Sequence, residues 1–366
     1  MPIAELGYRP WEGTRIPWWR RWLAITRTEI GIASRGSRLL RRFLIIAWTP
    51  LLYFAPLFFA VGYVADPQNA LDQGGLLSEI AEEALPGPLL DALRADPELL
   101  LPACWSVAFY LFFAYTQSFL AMLVIAIVVP PLISRDVRTK AFLLYLSKPI
   151  SSWGYLLGKL CAALFFVFAM TLFPALVLFA ISVALSPNFE TVLAVAPILL
   201  RIVVAAIAIG VPLSLVALLL SSLTKDHRIA AFGWVAIWIV GEASYQNISL
   251  SLARFSDGYQ SPPWAYLTSL REVATNAVAA IFDVGGQLGT VVDTLRERGA
   301  NVEPMVQSFA REFARTDSIQ HSLSAALGSN SAAAVQSPWT SLMFLGGLSA
   351  ICAAVIVRRI TKPVRI

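Results

Sequence analysis

Six long runs of apolar residues, separated by polar segments, dominate the hydropathy pattern of this 366-residue chain. A bilayer core about 30 Å thick needs about 20 apolar residues in a helix, and each run is close to or above that length. The predicted spans are 43–64, 104–133, 160–185, 192–223, 229–248 and 339–357. We therefore predict an all-α polytopic membrane protein with six transmembrane helices.

The amino-acid composition excludes other classes of protein. Apolar residues make up 57% of the chain and charged residues 14%, whereas soluble domains hold about 45–50% and about 25%. A soluble globular enzyme and a disordered chain are both excluded. The cysteines Cys104, Cys161 and Cys352 are too far apart for a metal-ligand motif or a disulfide framework.

The distribution of basic residues predicts how the chain is oriented. Twenty of the 28 Lys and Arg residues lie in four segments on one side of the spans, namely 1–42, 134–159, 224–228 and the C-terminal tail. By the positive-inside rule this side is the cytoplasm. We expect a multi-pass protein of the cell (inner) membrane with both termini cytoplasmic. The net charge of +5 then reflects topology and not a nucleic-acid partner.

Residues 1–42 form a cytoplasmic basic segment ahead of the transmembrane domain, 43–366. Trp18, Trp19 and Trp22 alternate there with Arg20 and Arg21. Tryptophan and arginine together favour the headgroup layer, so we predict a helix lying along the cytoplasmic leaflet. The alternative is a disordered basic tail.

Two long outer segments, 65–103 and 249–337, separate the spans on the other side. The first is acidic and predicts a short helix around Leu76–Leu85. In the second, apolar residues recur every three or four positions from Leu270 onward, which predicts an amphipathic helix interrupted near Gly285-Gly286. Such outer helices between spans five and six could lie on the outer leaflet, dip into it or cap the spans.

The loop at 134–159 is the most informative cytoplasmic segment. Pro149 cannot continue a helix and disfavours a helical conformation at the preceding residue. We therefore predict a short helix from Asp136 to Ser147, with Asp136 at its N-terminal end where the helix dipole favours an acid. A short charged helix between two spans offers a compact binding site to a cytoplasmic partner.

A second short loop joins spans four and five on the same side. It holds Lys225, Asp226, His227 and Arg228. These residues could contact the same partner, or they could anchor helix ends at the headgroups. His227 has no second histidine on its side of the membrane, so no metal site is predicted.

Two polar residues inside the spans, Glu242 and Gln117, are candidates for a translocation path. A carboxylate at membrane depth is costly and therefore suggests function. The alternatives are that Glu242 reaches the outer headgroups and that Gln117 forms a hydrogen bond between packed helices.

The chain contains no phosphate-binding loop of the form G-x-x-x-x-G-K-[ST]. The segment Gly154 to Leu160 has only three residues between its glycines, and a leucine stands where the hydroxyl residue belongs. Any ATP hydrolysis must therefore occur on another polypeptide.

The 134–159 loop resembles a known family. Its acidic residue with basic neighbours, an apolar stretch, Ser147-Lys148-Pro149-Ile150-Ser151 and then Tyr155-Leu156-Leu157-Gly158-Lys159 are similar to the loop between spans two and three of ABC-2-type transporter permeases. In that family the loop holds the coupling helix that docks on a separate ATPase. The resemblance assigns that coupling role to Arg135, Asp136, Arg138, Thr139 and Lys140, framed by Lys148, Pro149 and Lys159.

The resemblance implies the permease subunit of an ATP-driven exporter. Its partners would be an ABC ATPase subunit, which binds ATP and magnesium, and a second permease copy or a homologue within the lipid bilayer. The chain itself would be no enzyme, with no cofactor and no catalytic residue. Two alternatives stay open: an intramembrane enzyme acting on lipid-linked substrates, with Glu242 and Asp257 as its candidate acids, and an ion-coupled transporter.

Overall fold

The computed structural model describes residues 17, 20–36, 38–66, 76–85, 87–117, 119–141, 150–253, 264–299 and 338–361. Regular structure in these ranges is helical throughout, which confirms the predicted all-α fold. The helices are α1 (Arg21–Gly36), α2 (Arg38–Ile46), α3 (Thr49–Ala65), α4 (Leu76–Ala84), α5 (Gly87–Ala95), α6 (Pro97–Gln117), α7 (Phe119–Val128), α8 (Pro130–Thr139), α9 (Ser152–Met170), α10 (Leu172–Ala184), α11 (Phe189–Leu223), α12 (His227–Ala253), α13 (Leu270–Ile281), α14 (Val284–Glu297) and α15 (Pro338–Thr361).

Six helical segments are long and apolar enough to cross a membrane, as predicted in number. They are Leu40–Ala65, Pro97–Ala114, Leu120–Thr139, Ser152–Ala184, Phe189–Leu223 and Trp339–Thr361. Two of them cover the predicted second span, which the structure divides among α6, α7 and α8. The predicted fifth span corresponds to α12, which is not among the six. Glu242, Gln246 and Asn247 make the second half of α12 more polar.

Helix α11 forms the centre of the bundle. It packs against α6, α8, α9, α12 and α15, and 67% of its most apolar stretch is buried inside the protein. Helix α15 lies at the periphery, since only 22% of its corresponding stretch is buried. A bundle with such exposed apolar faces requires a lipid or protein environment around it.

The two ends of the bundle differ in charge. At one end α8 finishes, α9 begins, and α11 turns into α12; the Thr361 hydroxyl near the end of α15 donates to Ser152 Oγ at 3.3 Å there. This end, called the basic end below, carries Arg135, Arg138 and Lys225. At the opposite end, Tyr266 OH and Thr340 Oγ1 are 2.6 Å apart. The structure thus gathers on one end the segments that the charge pattern assigned to one side.

The helices predicted in the outer segments are present. Helix α4 matches the short helix expected around Leu76–Leu85, and α5 follows it. Helices α13 and α14 meet at 54°, and the break falls at Phe282 and Asp283, slightly before the predicted glycine pair. Asp283 has a left-handed φ of 52°, and Arg201 Nη1 donates to the freed Phe282 carbonyl at 2.9 Å. Both helices pack on α6, so this pair is part of the bundle.

Candidate functional site

The helix in the 134–159 loop begins earlier than the sequence predicted. Helix α8 starts with the pair Pro130-Pro131, because proline is well suited to the first turn of a helix. It ends at Thr139, and Lys140 follows in a left-handed conformation with φ of 55°. Asp136 therefore lies in the second half of α8, and the predicted helix start at Asp136 is wrong. Lys148 and Pro149 lie outside the described residues.

Lys159 is the centre of a buried cluster of charges at the basic end. Its side chain on α9 is fully buried. Its ammonium group lies 2.7 Å from Glu29 Oε1 on α1, 2.6 Å from Asp136 Oδ2 on α8 and 2.6 Å from the Leu132 carbonyl oxygen. These three acceptors match the three N–H donors of an ammonium group.

Two further side chains complete this cluster. Tyr155 OH donates to Asp136 Oδ2 at 2.7 Å, and Arg135 Nη2 lies 3.4 Å from Glu29 Oε2. The cluster, defined as Glu29, Arg135, Asp136, Tyr155 and Lys159, holds two formal positive and two formal negative charges. Burying charges is tolerable only when they are paired and hydrogen-bonded, and this arrangement meets both conditions. We call it the charge cluster.

A close backbone contact fixes α1 against α9 beside the charge cluster. Thr26 Oγ1 donates to the Gly158 carbonyl at 3.0 Å. A methyl group added at Gly158 would lie 2.9 Å from Ile25 Cβ and 3.0 Å from the Trp22 carbonyl oxygen. Only glycine allows the two helices to approach this closely.

Ser221 joins the end of α11 to the start of α8. Its hydroxyl donates to the Pro130 carbonyl at 2.5 Å. The same oxygen accepts from the backbone N–H groups of Ile133 at 3.1 Å and Ser134 at 2.9 Å. The central helix of the bundle is thereby tied to the loop helix.

Several residues predicted to contact a partner are exposed at the basic end. They are Arg138, Thr139, Lys140, Lys225, Asp226, His227 and Arg228. Arg138, Lys225 and His227 line one groove, so the structure brings the two predicted cytoplasmic loops together. Asp136 and Lys159 are buried instead. These two side chains lie inside the protein, and a coupling role for Asp136 and Lys159 stays a prediction.

Sequence reasoning missed Glu29, Tyr155 and Ser221. Glu29 is the single acid in the otherwise basic helix α1, and Lys159 directly precedes the third apolar run. Glu29 and Lys159 are both charged residues without an evident partner nearby in the sequence. This isolation was the one signal from which the charge cluster could have been suspected. Nothing in the spacing connects them, because 130 positions separate the two residues.

The two candidates for a translocation path have different outcomes. Glu242 Oε1 lies 3.0 Å from Arg271 Nη1, Gln246 Nε2 donates to the same oxygen at 3.0 Å, and Ser269 Oγ donates to Oε2 at 3.1 Å. These contacts connect α12 to the start of α13. The side chain of Gln117 lies outside the described residues. A role in transport stays a prediction for both residues.

The described residues hold no group of three His, Cys, Asp or Glu side chains that could bind a metal ion. The features that do stand out are the charge cluster, the exposed basic loops and the apolar helices.

Comparison with known proteins supports the family resemblance. The family model described as ABC-2 family transporter protein matches residues 35–355, which is most of the chain. Searches of curated proteins and of solved structures return no match. The family match covers α2 to α14 completely, the last two residues of α1 and all of α15 except its last turns. The chain therefore belongs to the ABC-2 family of transporter proteins.

Proposed function

We propose that this chain is the membrane-spanning permease subunit of an ABC-2 exporter in the cell membrane, driven by a separate ATPase subunit. ATP and magnesium would be bound by that partner. The observation that carries the proposal is the family match over residues 35–355. The concentration of exposed cations at one end of the bundle supports a cytoplasmic position for that end.

The ATPase subunit docks on the outward-facing residues of the two loops at the basic end. Thr139 and Lys140 follow the charge cluster on α8, and Asp226 and Arg228 lie between α11 and α12; all four are exposed. A surface with both signs of charge gives orientation and specificity to a docked partner. Asp136 and Lys159 act here as positioning residues, because their charges hold the loop helix against the bundle.

The charge cluster transmits the movement of the docked subunit. It joins α1, α8 and α9 through contacts of 2.6–2.7 Å, and Ser221 adds α11. Packed elements joined in this way shift as rigid bodies and do not deform continuously. A displacement of the tip of α8 is therefore carried into the spans at once.

Two copies of the chain, or this chain with a homologue, enclose the transport pathway. The peripheral segments Leu40–Ala65 and Trp339–Thr361 have only 28% and 22% of their apolar stretches buried. These faces leave apolar area for a second permease subunit as well as for lipid. Substrate would then move between the copies as the bundles rock against each other.

The test uses the ABC ATPase subunit that co-purifies with the tagged chain from its native membrane. Vanadate-sensitive ATPase activity and the amount of co-purified subunit are measured for the double variant Lys140→Glu and Arg228→Glu. The matched control reverses two cations at the opposite end, Arg94→Glu and Arg296→Glu. Both pairs change the net charge equally.

We expect the first pair to lower the amount of bound ATPase subunit at least tenfold and the control pair to leave it unchanged. Equal binding by both variants would refute docking at the basic end. ATP hydrolysis by the purified chain alone would refute the permease assignment. Transport that stops when the proton gradient is collapsed at constant ATP would identify an ion-coupled carrier instead.

A further inference from the structure

A groove lies at the basic end between the N-terminal helices and the two loops. Its volume is about 250 Å³, below the roughly 300–1,000 Å³ that pockets for drug-sized ligands occupy. It therefore suits a narrow ligand or part of a chain molecule. Its lining includes Ile32, Ala33, Ile127, Arg135, Arg138 and Lys225.

The groove has an apolar floor and a basic rim. Ile32, Ala33 and Ile127 form the accessible part of the floor above the buried Leu40 and Val128. Arg138 and Lys225 stand on the rim. Within the described part of the chain, neither of these two cations has an ion pair. They are therefore available to an anion from outside the protein.

The other two basic residues of the rim are already engaged with acids. Arg135 pairs with Glu29 at 3.4 Å, and His227 Nδ1 lies 3.8 Å from the neighbouring Asp226. Among the residues that the structure describes, no acidic side chain lines the groove itself. The described rim is consequently electropositive, and Arg138 and Lys225 are its members without an ion pair to another described residue.

Several residues that line the groove belong to candidate membrane spans or lie just beyond one. Leu40 begins one candidate span, and Ile127 and Val128 lie within another. Lys225 lies two residues beyond the end of α11, a third span. Cations that follow immediately after apolar helices lie at the level of the lipid headgroups, while the apolar residues lie at the level of the acyl chains.

We propose that this groove holds one anionic phospholipid from the same leaflet. Its phosphate lies between Arg138 and Lys225, and part of an acyl chain covers the floor formed by Ile32, Ala33 and Ile127. The match of a basic rim with an apolar floor favours this occupant over a protein segment, which would need to satisfy its own backbone polar groups in the floor. The lipid site is separate from the proposed docking residues Lys140 and Arg228, which do not line the groove.

Native mass spectrometry of the purified full-length chain, without any ATPase subunit, tests the proposal. Bound lipid is counted after titration with phosphatidylglycerol or with phosphatidylcholine. The double variant Arg138→Gln and Lys225→Gln is compared with Arg41→Gln and Arg42→Gln, two exposed cations on α2 that do not line the groove. Each pair removes the same charge.

We expect phosphatidylglycerol to bind more tightly than phosphatidylcholine. Each juxtamembrane cation contributes roughly fivefold to the affinity for anionic lipid, so the groove variant should lose about 25-fold and the control much less. A phosphatidylglycerol that carries a photoreactive diazirine in its acyl chain should cross-link to α1 and α7, whose residues form the floor. The variant Ala33→Phe, which narrows the groove and keeps its charges, should reduce that cross-link.

Equal loss of affinity in both double variants would show a general attraction of anionic lipid to basic residues and would overturn the proposal. Cross-links only to helices that do not line the groove, or equal affinity for both lipids, would do the same. Displacement of the lipid by added ATPase subunit would identify the partner protein as the occupant. Because the measurement uses the chain alone, its failure leaves the docking proposal unaffected, and failure of docking leaves this one unaffected.

Discussion

The substitution Lys159→Gln tests whether the charge cluster is as dry and as tightly paired as the structure indicates. Lys159 is fully buried, and its ammonium group has two carboxylates and one carbonyl within 2.7 Å. The variant removes the positive charge and leaves Glu29 and Asp136 buried near each other. Breaking a buried ion pair from one side costs about 3–5 kcal/mol, because an uncompensated charge remains.

The free energy of unfolding, measured by titration with SDS in mixed micelles, reports this cost. We expect Lys159→Gln to lower it by about 3–5 kcal/mol. Tyr155→Phe should cost less, about 1–3 kcal/mol, because Lys159 still neutralises Asp136 after the hydroxyl is lost. Arg228→Gln, which removes an exposed cation at the same end outside the groove, serves as the control and should leave the unfolding free energy unchanged.

A variant that removes all three charges distinguishes pairing from packing. Glu29→Met, Asp136→Leu and Lys159→Met together replace the three charges with apolar side chains, and such replacements are often close to neutral. We expect the triple variant to recover most of the stability that Lys159→Gln loses. A cost below about 1 kcal/mol for Lys159→Gln would mean that water reaches the cluster, and the reasoning would be refuted.

Two further substitutions test other contacts. Gly158→Ala places a methyl group against α1, so we expect a loss of about 1–3 kcal/mol in unfolding free energy, whereas Gly346→Ala has open space around it and should be neutral or stabilising. Glu242→Gln removes an ion pair whose Arg271 side chain is 36% exposed, so the loss should be only about 0.5 kcal/mol; Glu297→Gln is its exposed control. Loss of substrate transport in a stably folded Glu242→Gln protein would instead place this carboxylate on the translocation path.

The sequence predicts the helical fold well, because apolar length alone determines where a chain can cross a bilayer. The start of α8 was misjudged because the charged residues around Asp136 suggested a helix beginning, whereas Pro130-Pro131 supply that start within the apolar run. Helix α12 is not among the helices that are apolar enough to cross the membrane. The reason is its polar second half, where Glu242 and Gln246 interrupt the apolar stretch.

The candidate site was only partly predictable. The exposed residues Arg138, Lys140 and Arg228 follow from charge and loop position. The partners of Lys159 do not, because Glu29 and Asp136 come from helices far apart in sequence and meet only after the bundle packs. A charged residue beside an apolar run indicates that a counterion is needed, but only the tertiary structure determines which residue supplies it.

The charge balance of the cluster has an electrical consequence. Moving one elementary charge through the full membrane voltage involves about 2.3 kcal/mol per 100 mV. Glu29, Arg135, Asp136 and Lys159 sum to zero formal charge and lie within contact distance of each other. When they shift together, the electric field across the bilayer performs almost no net work on them, so the resting potential of the cell neither assists nor opposes that movement.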